Sequence, residues 1–135
     1  MKLQAYLHYE GRCEEAIEFY TKALGAKVTM LMRFKDCPEP SPEMNPASAD
    51  KVMHASVSIG DSELLMSDGR CQSAPSFKGF ALTLTAPNDA EAERLFAALG
   101  DGGQVFMPLA KTFFSSRFGM LNDRFGVGWM IIVAH

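Results

Sequence analysis

Two side chains of this 135-residue sequence could move a proton or bind a polar group of a ligand. His54 alternates with Ser56 and Ser58 in a strand-like stretch, which predicts these three side chains on one face. An imidazole titrates near neutral pH and can act as an acid, a base or a ligand donor. Asp68 ends the next strand-like stretch and could accept a substrate proton. We therefore predict His54 and Asp68 as candidate catalytic residues.

Each candidate also has a structural interpretation, and the sequence leaves the choice open. His54 could be a partly exposed histidine that hydrogen-bonds to the loop before it. Asp68 precedes Gly69, and Asp-Gly is a common turn pair. We expect His8 at the surface, and we expect Asp123 to cap the turn that follows it.

Apolar and aromatic residues collect in the second half of the sequence and could line a pocket for a planar or flexible apolar ligand. Core packing is the alternative for each of them. The predicted ligand-binding residues are Phe114, Phe118, Trp129 and Met130.

Composition excludes several classes of partner. The net charge is −3 and no Lys/Arg-rich run occurs, so we expect no nucleic-acid partner. No stretch reaches the roughly 18 apolar residues of a membrane span, so we expect no membrane insertion. The three cysteines contain no C-x-x-C pair, which argues against a disulfide framework and a zinc knuckle. We predict a soluble protein of the cytoplasm.

The elements that position these residues are predicted to repeat as strand, helix and three strands. A helix over Cys13–Leu24 ends in Ala-Leu-Gly25, and a second helix ends in Ala-Leu-Gly100. Asn88 should cap the second helix, and a strand is predicted over Phe113–Leu121. The result is an α+β fold of two βαβββ modules, about 1–69 and 79–135, in a single domain. Their cupped mixed sheets are expected to share a cleft.

A proline-rich loop is predicted over Asp36–Asp50, either as a lid or as a connector. Six stretches of the sequence carry a resemblance to a known family: Glu15–Gly25, Val52–Ala55, Gly60–Asp61, Leu65–Asp68, Gly102–Leu109 and Phe113–Trp129. They resemble the PhnB-like branch of the vicinal oxygen chelate superfamily, which includes glyoxalase I and bleomycin-resistance proteins. The resemblance covers nearly the whole chain, and it implies paired βαβββ modules in a homodimer. Where the branch usually has Phe-Trp, this chain has Phe113-Phe114.

Glyoxalase-type members of this superfamily use a divalent metal with four His, Gln or Glu ligands. An ungapped alignment on Phe19–Gly25 locates the four ligand positions in this sequence. Most of the residues found there cannot bind a hard cation. The four positions are Ala5, Asp68 or Glu63, Ala81 or Phe80, and Met130. We therefore predict no metal site and no cofactor, and the sequence leaves open a different site built from His8, His54 and Asp68.

The resemblance implies a small organic ligand bound in a cleft without the usual metal centre, and it leaves the exact activity unknown. One alternative is an enzyme with a displaced site around His54 and Asp68. Its activity could be that of a lyase, a dioxygenase or a demethylubiquinone methyltransferase-like protein. The sequence contains no glycine-rich cofactor loop, which argues against a methyltransferase. The other alternative is a drug-sequestering resistance protein without turnover.

Overall fold

The chain forms the same order of elements twice, which confirms the predicted α+β fold of two βαβββ modules. The computed structural model describes residues 1–37, 49–69 and 74–134. Two compact units divide the chain, Met1–Pro75 and Ser76–His135. Most of the predicted proline-rich loop and Cys71 lie outside the described residues. Within the described ranges, no helix is long and apolar enough to cross a membrane.

The first unit contains a four-stranded mixed sheet and one helix. Strands β1 and β4 are parallel, whereas β3 pairs antiparallel with both β4 and β2, in the order β1-β4-β3-β2. Because β1 and β4 run side by side, both strands end at the same edge of the sheet. The elements are β1 (Tyr6–His8), α1 (Cys13–Leu24), β2 (Lys27–Arg33), a 3-10 turn (Phe34–Asp36), β3 (Val52–Ile59) and β4 (Ser62–Ser67).

The second unit repeats this topology with the order β5-β8-β7-β6, in which β5 is parallel to β8. The predicted cap of α2 is confirmed, because Asn88 Oδ1 accepts the Glu91 amide at 2.8 Å. The elements are β5 (Leu82–Ala86), α2 (Asp89–Gly100), β6 (Gln104–Ala110), β7 (Phe118–Asn122) and β8 (Gly128–Val133).

The strand predicted over Phe113–Leu121 begins only at Phe118, so that part of the prediction is wrong. The preceding residues form a turn, in which the Ser115 amide donates to Thr112 Oγ1 at 3.1 Å. The Ser115 hydroxyl donates to the Val133 carbonyl at 2.8 Å, which ties the turn to the end of β8. These local hydrogen bonds compete with strand pairing, and the apolar pattern does not reveal them.

One face of the first sheet is covered by α1. Leu7, Met66 and Ala55 are buried and lie in one row across β1, β4 and β3. Tyr9 and Tyr20 join this side to α1, because their hydroxyl oxygens are 2.9 Å apart. The opposite side is the helix-free face of the first sheet, with Tyr6, His8, Met30, Met32, His54, Ser56, Ser58, Glu63, Leu65 and Ser67.

The second sheet also has one side covered by a helix and one helix-free side. Gly119 lies under α2 so closely that a Cβ there would be 2.6 Å from the Phe96 ring. Gly119, Leu121, Trp129 and Ile131 therefore lie on the helix-covered side, because alternate residues of a strand share a face. The helix-free face of the second sheet carries Thr83, Thr85, Met107, Phe118, Met120, Asn122, Met130 and Ile132.

Candidate functional site

Asp68 is 1% exposed, and its carboxylate binds three backbone amides. Oδ1 accepts the amides of Gly11 at 2.9 Å and Cys13 at 2.7 Å. Oδ2 accepts the amide of Val52 at 2.7 Å. The carboxylate thus joins the turn before α1 to the first residue of β3, and this contact set favours the structural interpretation of Asp68.

The topology explains why Asp68 reaches the start of α1. Because β4 runs parallel beside β1, the residue after β4 lies next to the turn that follows β1. Arg12 occupies the N-cap position of α1, and its side chain, which can only donate, caps none of the backbone amides of the helix. Asp68 supplies the missing acceptor from elsewhere in the chain, and its negative charge suits the positive end of the helix dipole.

His54 lies on the helix-free face of the first sheet, as the alternation with Ser56 and Ser58 predicts. Its Nδ1 is 2.9 Å from the hydroxyl oxygen of Tyr6. The ring centroid of Tyr6 is 5.4 Å from that of His54 and 5.0 Å from that of His8. The structure therefore brings His54 together with Tyr6 and, through Tyr6, with His8.

Sequence reasoning missed Tyr6 as a candidate. Tyr6 and His8 are two residues apart in the first strand, and this spacing places both side chains on one face. The spacing could therefore have identified Tyr6 as a candidate. Tyr6 is 40% exposed, and partial burial is the main cause that raises the pKa of its phenol. Since the pKa is raised, the phenol keeps its proton at neutral pH and can donate it in a hydrogen bond.

Three of the four predicted ligand-binding residues share the helix-free face of the second sheet or border it. Phe118 and Met130 lie on this face, and the Phe114 ring is 5.0 Å from the Phe118 ring in an edge-to-face arrangement. Met130 is level with Met120 and Met107 on neighbouring strands, so three thioethers cross the sheet in one row. Methionine side chains adapt to ligands of varied shape.

Trp129 lies on the opposite side of the same strand. It is 2% exposed, and its indole nitrogen donates to Asp123 Oδ2 at 2.9 Å. Asp123 Oδ1 accepts the amides of Phe125 and Val127 at 2.9 and 3.0 Å, which confirms its expected role in the turn. We therefore assign Trp129 to the core of the second unit, beneath α2, and not to the residues that contact a ligand.

The positions assigned to metal ligands need a correction of register. Tyr6 and His8 occupy the helix-free face of β1, so the alignment on Ala5 falls one residue away from the side chains on that face. On β5 that face carries Thr83, two residues after the assigned Ala81, so the assignment there differs by a whole strand period and keeps the face. Within residues 1–37, 49–69 and 74–134, no group of three or more His, Cys, Asp or Glu could hold a metal ion. Of the side chains on these faces, Thr83 and Met130 are poor ligands for a hard divalent ion, whereas His8 could bind one.

Comparison with known proteins shows the family. The model of the 3-demethylubiquinone-9 3-methyltransferase family matches residues 1–132, so the chain belongs to this family. Protein YjdN of Escherichia coli (strain K12) is 34% identical over 142 residues, which span 98% of this chain and 95% of YjdN. The resemblance to the PhnB-like branch is confirmed.

Solved structures agree with this assignment. Protein PA1353 from Pseudomonas aeruginosa is 39% identical, with a TM-score of 0.86 over 99% of this chain and 98% of its own. A PhnB protein from Bacillus cereus is 28% identical, with a TM-score of 0.82 over 99% of this chain and all of its own. A glyoxalase-related enzyme from Fulvimarina pelagi, 17% identical with a TM-score of 0.60 over 98% and 88% of the two chains, shares the fold alone.

Proposed function

We propose that this PhnB-like protein binds a small organic molecule through the helix-free faces of its sheets, without a glyoxalase-type metal centre. The observation that supports this most directly is the apolar surface of the second sheet. Phe114 and Phe118 adjoin there, and Met130 lies in a row of three methionines. Aromatic edges and thioethers suit a planar, largely apolar ligand.

A planar hydrocarbon tests the apolar surface. We expect 2-ethylnaphthalene to bind the wild-type protein, with the largest NMR shifts in the methyl groups of Met120 and Met130. Phe114→Ala should weaken binding roughly fivefold, because about 1 kcal/mol of apolar contact is lost. Phe106→Ala is the matched control, since Phe106 is an exposed residue of the edge strand β6. Equal losses in both variants, or no binding by the wild type, would count against the proposal.

Native mass spectrometry tests the metal and the assembly together. We propose that the protein is a cytoplasmic homodimer, as its resemblance to the superfamily implies. The expected mass is that of two chains without a stoichiometric metal. A tightly held Ni, Zn, Fe or Mn ion at one per chain would overturn the metal-free proposal, and a mass of one chain at micromolar concentration would overturn the dimer.

The Tyr6–His54 contact favours an enzyme as the second candidate, with lyase, dioxygenase or methyltransferase-like activity. A phenol beside an imidazole can exchange protons with a bound substrate. Asp68 would take part only if its carboxylate gave up amide partners. Stoichiometric protection of a ligand without product would instead support the third candidate, a sequestering resistance protein.

A further inference from the structure

Tyr6 and His54 form a polar contact on the helix-free face of the first sheet, which carries both apolar and hydroxyl side chains. They lie on β1 and β3, the two neighbours of β4, so the phenol reaches across β4 to the imidazole. Leu65 of β4 is level with Tyr6, and Met32 of β2 is level with His54. Leu65 and Met32 therefore flank this hydrogen bond, and the phenol of Tyr6 also has a side-chain hydrogen bond with Ser67 of β4.

The chemistry of the pair determines which atom remains for a ligand. A neutral phenol is a better donor than acceptor, and the lone pair of a neutral imidazole is a strong acceptor. Tyr6 therefore donates to Nδ1 of His54, and the ring proton of the neutral imidazole lies on Nε2. In the described part of the chain, Nε2 has no hydrogen-bond partner. His54 thus presents one N–H donor, held in a fixed tautomer.

We propose that the Nε2–H of His54 binds a carbonyl or carboxylate oxygen of a planar, mainly apolar ligand, and that Tyr6 is a positioning residue that fixes the tautomer. This inference rests on the proposed function and concerns a ligand on the helix-free face of the first sheet, where it adds a polar contact to the apolar ones. Leu65, Met30 and Met32 lie on this face together with the hydroxyl of Ser56, so the N–H donor of His54 suits a polar oxygen carried on a largely apolar ring system.

Nitrogen-15 NMR of the imidazoles reads the tautomer directly. The sequence contains three histidines, His8, His54 and His135, and His54→Phe assigns the resonances of His54 by their loss. In the free wild-type protein we expect His54 to be protonated on Nε2, with Nδ1 as the acceptor. Tyr6→Phe should release this preference. A wild-type spectrum with the proton on Nδ1 would overturn the inference without any variant.

Two probes of matched shape test the ligand group. The ketone 2-acetonaphthone differs from 2-ethylnaphthalene by its carbonyl oxygen. We expect the wild type to prefer the ketone a few-fold to about tenfold, which is the net effect of one hydrogen bond. The ketone should shift the Nε2 resonance of His54, and the hydrocarbon should not.

The variants separate the possible outcomes. His54→Phe should abolish the preference for the ketone, Tyr6→Phe should reduce it, and both should leave hydrocarbon binding within about twofold. Ser58→Ala is the matched control on the same face of β3 and should keep the full preference. If both probes bind and His54→Phe keeps the preference, this inference fails while the proposed function stands. If neither probe binds the wild type, both fail.

Discussion

Asp68→Asn is expected to lower the free energy of unfolding by about 3 kcal/mol. The carboxylate accepts amides on both oxygens, so an amide group must turn its NH2 toward at least one backbone N–H. That change loses a charge-assisted hydrogen bond worth roughly 1.5–3 kcal/mol and leaves a buried donor unsatisfied, at a further 1–3 kcal/mol. Urea unfolding followed by circular dichroism measures the loss, which is large against the usual total of about 5–15 kcal/mol.

Asp61→Asn is the matched control for Asp68. Asp61 lies exposed in the turn between β3 and β4, so its substitution should change stability by no more than about 0.5 kcal/mol. The same pair of variants separates the two interpretations of Asp68. A normal unfolding midpoint for Asp68→Asn, combined with lost turnover on an identified substrate, would show a catalytic carboxylate and contradict the structural role.

Asp123→Ala is expected to destabilise the second unit by about 3 kcal/mol or more. Its carboxylate is 3% exposed and accepts two turn amides and the indole N–H of Trp129. Removal of the side chain leaves these buried donors without their acceptor. Trp129 is the only tryptophan, so its indole N–H resonance and its fluorescence report on this contact without ambiguity.

A double-mutant cycle isolates the bond between the two side chains. Trp129→Phe removes the indole donor, and the cycle with Asp123→Ala should give a coupling energy of roughly 1.5–3 kcal/mol, as for a hydrogen bond to a charged group. Asp101→Asn is the control, because its ion pair with Arg124 is exposed and worth about 0–1 kcal/mol. Additive effects of Asp123→Ala and Trp129→Phe would show that the hydrogen bond contributes nothing to stability.

Local patterns were enough to predict most of the elements. The two Ala-Leu-Gly helix ends, at Gly25 and Gly100, revealed the repeat, and alternation placed His54 correctly with Ser56 and Ser58. Such features depend on residues that are close in sequence, which a pattern records. The turn before Phe118 escaped prediction because the apolar pattern does not reveal the local hydrogen bonds to Thr112, nor the one that joins Ser115 to Val133, 18 residues along the chain.

The sequence alone determined the two βαβββ modules and the division of each strand into two faces, because the period of a strand is a local property. Only the tertiary structure decided which face each helix covers, and that choice separates Trp129 from Met130. It also decided that Asp68 contacts Cys13, which is 55 residues away in the sequence. In the same way it brought His54 to Tyr6, which is 48 residues away. Such contacts depend on strand order and register, and the spacing of residues along the chain does not encode either one by itself.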